Sequence, residues 1–393
     1  MATWPKVKLA AYVNLVAGFP FKSQQFTDKP DDIPLVKGEN VSHGHILWDI
    51  SKRWPAADWE KLEKFHLVGN DVVIAMDRPW IPAGLKWSFI RKRDPKALLV
   101  QRCARLRTSS GYLDQTFLRF VIGGLDFENY VKPITTGVNV PHISGQQILD
   151  FEFTLPPLAV QQQIAGILSA YDELIENSQR RIRILEAMAR ALYREWFVHF
   201  RFAGHEKIPH VASPLGEIPE GWEIGRLDDL LVLQRGYDLP KATRVEGAIP
   251  IYAATGVTGF HNEAKAKCPG VVTGRSGTIG DVMYVQEDFW PLNTTLWVKE
   301  FPRAEPLYAY FVLSSVGLKQ FNSGAAVPTL NRNDIHGLDA LIPPRPLQEH
   351  FQNVAGAMLA QRRKLELQIQ NLRRTRDLLL PRLLSGQIDV EVA

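Results

Sequence analysis

Three stretches in the second half of the chain gather cations, hydroxyls and amides. Arg235-Gly-Tyr237-Asp-Leu-Pro-Lys241-Ala-Thr243-Arg244 mixes them with an aromatic ring. Thr273-Gly274-Arg275-Ser276-Gly277-Thr278 embeds an arginine among glycines, and Asn293-Thr294-Thr295 adds an amide and hydroxyls. The first half offers Phe21-Lys22-Ser23-Gln24-Gln25, Lys37-Gly-Glu-Asn40, Arg78-Pro-Trp80 and the basic residues within 102–107. These are the donors and acceptors that reach phosphate oxygens and base edges. Glycines beside Arg275 would let backbone approach a duplex closely. The candidate contacts are therefore Lys22, Ser23, Lys37, Asn40, Arg78 and Arg105 in the first half. In the second half they are Tyr237, Lys241, Arg244, Arg275, Thr278 and Asn293.

Catalytic chemistry has no comparable footing. The chain contains no G-x-x-x-x-G-K-[ST] phosphate loop, and the Gly-rich run from Gly270 to Gly280 lacks the lysine such a loop needs. No G-x-S-x-G elbow occurs. The Asn/Asp-Pro-Pro-aromatic motif of base-amino methyltransferases is missing, because Leu155 and Ile342 precede the two Pro-Pro pairs. Asp94-Pro95-Lys96 and Glu263-Ala264-Lys265 match a nuclease fragment too loose to carry weight. His43 and His45, and likewise His199, His205 and His210, lack acidic or cysteine ligands at metal spacing and read as loop residues. Cys103 and Cys268 are too isolated for a disulfide framework. A net charge of +4 and a pI near 8.9 permit a nucleic-acid partner without demanding one. Residues 1–16 lack the apolar core of a signal peptide and no run of apolar residues is long enough to span a bilayer, so a cytoplasmic, membrane-free location is expected.

Something must hold such loops in place. Residues 158–200 read as one long helix. At alternating four- and three-residue steps they give Ile164, Leu168, Tyr171, Ile175, Ser178, Ile182, Leu185, Ala189, Leu192 and Trp196. That is a coiled-coil seam. About 40 residues at ~1.5 Å each make a rod of roughly 60 Å, which needs a partner helix. The partner is in the same chain. The offset from Ile164 to Phe351, applied to every seam position, gives Phe351, Ala355, Met358, Arg362, Leu365, Ile369, Leu372, Arg376, Leu379 and Leu383. The same offset carries Val140-Pro141 onto Val327-Pro328, Ile148 onto Ile335, Pro156-Pro157 onto Pro343-Pro344 and Gln161 onto Gln348. Arg362 and Arg376 break the second seam, which implies imperfect pairing or a covering partner there. Pro381 is expected to end or kink the second helix. The basic run Arg180-Arg181-Ile-Arg183 lies off the seam and reads as a solvated face.

A looser repeat links the globular parts. Trp4, Leu9, Leu15 and Gly18 match Trp222, Leu227, Leu233 and Gly236, and Val72-Val73 matches Val271-Val272 at a smaller offset. Buried strands are expected at 72–76 and 98–100, and one helix over 116–131. The expected organisation is a first domain at 1–155, a central helix at 156–202, a linker at 203–221, a second domain at 222–342 and a second helix with tail at 343–393. The fold class is α+β, with two globular domains separated by two long antiparallel helices that form an intramolecular coiled coil.

Leu155-Pro-Pro-Leu-Ala-Val-Gln-Gln-Gln-Ile164 and its copy Ile342-Pro-Pro-Arg-Pro-Leu-Gln-Glu-His-Phe351 bring a family into view. So do Ile218-Pro-Glu-Gly-Trp222, Gly274-Arg-Ser-Gly-Thr-Ile-Gly280 and Leu380-Pro-Arg-Leu-Leu-Ser-Gly-Gln-Ile388. Over essentially its whole length the chain resembles the specificity subunit of type I restriction-modification systems. The resemblance implies two target recognition domains, each reading one half of a split, asymmetric double-stranded DNA site, with the helices setting the spacing. It implies a non-catalytic chain that recruits two adenine methyltransferase subunits and motor-nuclease subunits. S-adenosylmethionine, ATP and Mg would then belong to those partners, and this chain would hold no cofactor. The family has no short invariant base-contacting motif, so the contact residues above rest on their own chemistry. A protein-binding scaffold with two docking domains is the alternative from another class, and a stand-alone enzyme is disfavoured by the absent motifs.

Overall fold

The computed structural model describes residues 4–135, 141–388 and 390. Val140, one half of a repeat match, lies outside them. The first apolar repeat is an α-helix over Leu158–Tyr193, and a five-residue π turn follows at Arg194–Val198. Regular α geometry therefore stops short of the expected residue 200. The wider turn buries Phe197 against the core while Trp196 stacks on His350 with centroids 5.2 Å apart. The second repeat is a helix over Arg345–Leu384. Pro381 does not end it. The proline withholds only the bond to the Asp377 carbonyl, at an exposed position where water can replace it. The helix closes instead at Gly386, whose left-handed φ of 71° suits glycine.

Every position of both seams is buried or half-buried. Each large apolar side chain withdrawn this way contributes about 1.5–3 kcal/mol. The chain divides into two compact units, Met1–Glu176 with Gln370–Ala393, and Asn177–Ile369. The division crosses both long helices, so each unit contains a pair of antiparallel helix segments. In the first unit Ile164 and Leu168 share a core with Leu379 and Leu383. In the second, Ala189 and Tyr193 share one with Phe351, Ala355 and Leu359. The two seam arginines are not defects. Arg376 donates to Asp172 of the opposite helix at 2.7 Å, and Arg362 donates to Glu186 at 3.1 Å. Their long stems cover the seam while the guanidinium finds a carboxylate.

The first unit is built on an antiparallel sheet in the order Val13–Ala17, Cys103–Thr108, Val72–Ala75, Trp87–Phe89. A second sheet runs Arg53–Trp54, Ile33–Val36, Ala97–Leu99, His66–Leu67, with its central pair parallel. The helix expected over 116–131 is two helices, Gln115–Ile122 and Leu125–Ile134. The chain breaks at Gly123, where a Cβ would sit 2.2 Å from the Trp87 ring. The second unit repeats the plan with Val232–Arg235, Thr295–Glu300, Gly270–Gly274, Val282–Val285 in the same order. Its smaller sheet is Gly256–His261, Ile249–Ala253, Trp290–Pro291, again with one parallel pair. The stretch expected as a linker carries a hairpin of its own, His210–Ser213 with Gly216–Pro219.

The matched residues occupy matched places. Leu9 N–H donates to the Phe151 carbonyl at 3.0 Å, and Leu227 N–H to that of Leu338 at 2.8 Å. At Gly18 an added Cβ would meet the Val100 oxygen at 2.2 Å, and at Gly236 the Leu292 oxygen at 2.1 Å. Both glycines are there because two backbones touch. Gln161 and Gln348 are completely buried clamps. Gln161 donates to the Pro156 and Tyr112 carbonyls and accepts from Asp114 N–H. Gln348 donates to the Pro343 and Arg303 carbonyls and accepts from Glu305 N–H. The repeated Pro-Pro and Gln letters are thus one device, which ties each helix start to its sheet-bearing domain.

Candidate nucleic-acid interface

The exposed end of each main sheet is a hairpin loop between two adjacent strands. In the first unit it spans residues 76–86, between Val72–Ala75 and Trp87–Phe89. In the second it spans residues 275–281, between Gly270–Gly274 and Val282–Val285. Hydrogen bonds align the two loops atom for atom. Met76 N–H donates to the Arg102 carbonyl at 2.8 Å, and Arg275 N–H to that of Thr294 at 2.8 Å. Ile143 N–H donates to the Met76 carbonyl at 2.9 Å, and Leu330 N–H to that of Arg275 at 2.8 Å. Arg78 N–H donates to the Pro141 carbonyl at 2.7 Å, and Gly277 N–H to that of Pro328 at 2.9 Å. Isolated bridges join Asp77 to His142 and Ser276 to Thr329. Met76, Asp77 and Arg78 therefore stand where Arg275, Ser276 and Gly277 stand.

The second loop gathers several of the expected residues. Arg275 Nη1 donates to the Asn293 carbonyl at 3.1 Å, and the Asn293 amide donates to Asp238. Asp238 also accepts from Arg235 at 3.3 Å. Thr278 is exposed at the tip. Gly274 is required below it, because a Cβ there would lie 1.8 Å from the Thr278 oxygen. Tyr237 is half-buried instead, its ring edge-on to Trp290 and its hydroxyl accepting from Gln234 at 3.3 Å. It supports the loops from beneath. Lys241 is exposed at the start of the 3-10 turn Lys241–Thr243 and makes no ion pair among the described residues. Arg244 is half-buried with Nη1 3.5 Å from the Thr258 carbonyl.

In the first unit the loops are more sharply sorted. Lys22 and Ser23 are exposed beside the 3-10 turn Ser23–Gln25, the counterpart of the Lys241 turn. Arg78 is exposed, and no hydrogen bond or ion pair reaches its guanidinium among the described residues. Lys37 pairs with Glu39 at 3.0 Å. Asn40 is wholly buried. Its oxygen accepts from Lys37 N–H at 2.8 Å and its amide donates to the Leu35 carbonyl at 3.0 Å, so it closes its own loop and offers nothing outward. Arg105 is 7% exposed and donates to the His66 carbonyl at 3.1 Å, and its charge is penalised chiefly by burial. It ties the two sheets of its unit together. Asn40 and Arg105 are thus structural, contrary to their composition-based reading.

Two further cations stand here, Arg102, left off the shortlist of contacts, and Lys86, which was missed. Arg102 pairs with Asp77 at 2.5 Å, and Asp77 also binds His142 Nδ1 at 2.5 Å. Lys86 follows the hairpin, and its ammonium is held below the usual lysine value by burial, with Arg78 adding to the lowering and Glu39 opposing it. A Cβ on Gly38 would lie 4.0 Å from Lys86 Nζ, so the Lys37 loop abuts this hairpin. Arg102 stood inside a run of alternating arginines whose facing cannot be read without register. Lys86 gave no signal, because a lone lysine after a glycine turn is ordinary.

The class that the fold defines is a duplicated α+β unit that presents paired polar loops. Comparison with known proteins identifies its kind. The pattern of the type I restriction modification DNA specificity domain matches residues 1–187 and 219–362. The chain belongs to that family, and it is a specificity chain rather than a catalytic subunit. It is 28% identical over 299 residues to the type I restriction enzyme MjaIX specificity subunit of Methanocaldococcus jannaschii, covering 70% of this chain and 69% of that protein. It is 33% identical over 177 residues to the EcoAI specificity subunit of Escherichia coli, covering 45% of this chain but only 29% of that protein. The crystal structure of the type I restriction-modification S subunit from M. genitalium shares the fold, with a TM-score of 0.66 at 16% identity over 99% of this chain and 97% of that one. Among the described residues no helix is long and apolar enough to cross a membrane.

Proposed function

We propose that this chain binds double-stranded DNA sequence-specifically and reads a bipartite, asymmetric target, one half with each globular domain, taken as residues 1–155 and 222–342. The observation that carries the reading is the pair of equivalent hairpin loops. Their backbone hydrogen bonds coincide while the residues they expose differ, Arg78 in one against Gly277 and Thr278 in the other. A scaffold duplicated for strength alone has no reason to diversify at the one exposed end of each sheet. In this reading two adenine methyltransferase subunits, and motor-nuclease subunits where restriction occurs, dock on the chain in the cytoplasm and bring S-adenosylmethionine, ATP and Mg with them.

Co-expression with an adenine methyltransferase subunit, followed by genome-wide mapping of methyladenine, tests the reading. The expected result is one split motif. Exchanging residues 222–340 for the matching part of a relative should then change one half of the motif and leave the other. A chain that yields no motif, or whose two halves change together, refutes it.

A further inference from the structure

The first bend of the loop that closes the main sheet has the same backbone hydrogen bonds in both units but different residues. In the second unit the residue at its bend is Gly277, with a φ of 91° that glycine adopts freely. In the first unit the same place holds Arg78, with a φ of 45°. A side chain in the left-handed region is strained, and Pro79 directly after it disfavours helical geometry at Arg78 further. The fold does not need that arginine, since its own sister turn is made with glycine. Residues kept in sparsely populated backbone regions cluster at functional sites, and here the outlier is exposed.

The surroundings single out this side chain. The arginines of the neighbouring segment 102–107 are all committed. Arg102 is bound to Asp77, Arg107 is bound to Asp71 through two bonds of 2.7 and 2.8 Å, and Arg105 is buried. Arg78 alone of these four has a guanidinium with no hydrogen bond or ion pair among the described residues. Its backbone is held by the 2.7 Å bond to the Pro141 carbonyl, and Asp77 before it by Arg102 and His142. Lys86 stands close by and adds positive charge beside Arg78.

Resting on the DNA-reading function above, we propose that Arg78 is a specificity-determining residue of the first unit, presenting its planar fork to a guanine edge from a turn that the rest of the loop holds rigid. A lysine in its place would keep the charge but lose the two-pronged geometry.

The test uses the full chain and a pool of duplex oligonucleotides randomised over both half-sites. Bound duplexes are selected and sequenced for the wild type, Arg78→Gly and Arg78→Lys. Arg78→Gly should melt no lower than wild type, because it recreates the sister turn. It should lose discrimination at one base pair of one half-site, by roughly tenfold to a hundredfold, and leave the other half-site unchanged. Arg78→Lys should lose the same discrimination while keeping overall affinity closer to wild type. If both variants select the wild-type motif at full discrimination, the assignment is wrong. It is equally wrong if Arg78→Gly weakens all sequences alike, which is the mark of a phosphate contact, or if Arg78→Gly melts clearly lower. A wild-type chain that selects no motif would instead overturn the DNA-reading function itself.

Discussion

The two units fasten their sheet-bearing domains to the helix pair by different means. The first uses charge. Arg119, only 7% exposed, donates to Ser169 and to Asp172 at 3.2 and 3.0 Å, and its guanidinium lies 4.1 Å from the Phe89 ring centre. Arg376 reaches the same carboxylate from the other helix, and Arg91 and Arg93 both bind Glu176 at 2.5 Å. The second unit relies more on rings, beside ion pairs from Arg345 to Glu305 and from Arg363 to Glu287. Tyr193 stacks on Phe311 with centroids 5.1 Å apart, and Phe197 packs against Tyr308 at 4.7 Å and Phe351 at 5.0 Å. Burial pushes the Tyr193 hydroxyl up to about 12, so it stays neutral there. Under the repeat offset Arg376 corresponds to Ala189, which belongs to this apolar core. A duplicated joint can therefore be rebuilt with a different balance of charge and rings, provided that each buried charge keeps its partner.

The sharpest way to break that contrast is to remove one carboxylate. Asp172→Ala strands the buried Arg119 and should cost the first unit about 3–5 kcal/mol, read by hydrogen exchange resolved along the chain. Glu186→Ala should cost the second unit less than about 1 kcal/mol, because Arg362 is only half-buried and still has Glu366 at 3.3 Å. Equal losses would mean that the ring-built joint depends on charge after all.

The glutamine clamps should instead behave alike. Gln161→Ala and Gln348→Ala each remove a buried amide and its three hydrogen bonds to backbone, and we expect each to lower the stability of its own unit by about 2–4 kcal/mol. A large loss in one unit with none in the other would show that the two clamps do not carry the same load.

A smaller difference is a pH response confined to the second unit. His336 Nε2 accepts the Leu233 N–H at 3.0 Å, whereas the repeat puts Leu149 at the corresponding place. Burial, opposed by Asp228 and aided by Arg332 and Arg226, holds the ring below the ordinary histidine value of 6.5. The neutral ring's contribution is therefore whole above pH 6.5 and is lost as pH falls through the lowered folded value. Protection of the Leu233 amide should drop in that window, and protection of the first unit's Leu15 amide should not change through this route. Protection of Leu233 that holds steady until the whole unit unfolds in acid would rule the acceptor role out.

The smallest effects concern positioning. Lys22 and Lys241 lie at matching turns, one in each unit. Replacing either with Ala should weaken binding to all duplexes similarly and reduce the slope of log affinity against log salt by about one. A change in the selected motif would promote that lysine from positioning to reading.

How far the letters alone carried this picture depends on how local each feature is. The seam was legible because burial on a long helix repeats every three or four residues, so Ile164, Leu168 and their successors could be read in place. The duplication was legible because Gly18 and Gly236, or Gln161 and Gln348, answer to identical backbone demands and tolerate few substitutes. Asn40 and Arg105 were misread because loop-like composition does not say which way a side chain faces. Arg362 and Arg376 looked like faults because their carboxylates come from the opposite helix, far away in sequence. Gly123 looked helical because Trp87, the ring that forbids a Cβ there, lies on another strand.

The sequence by itself determined that this chain is a duplicated α+β protein on two long paired helices, and that it resembles a specificity subunit. Those properties follow from period and repetition, which need no knowledge of distant neighbours. Only the tertiary structure decided which cations are free. Arg78, Arg102, Arg105 and Arg107 are chemically alike, and nothing near them in the chain ranks them. Strand pairing and loop closure set one against Asp77, one against Asp71, one into the interior and one toward solvent, because a guanidinium takes whatever acceptor the fold brings within about 3 Å.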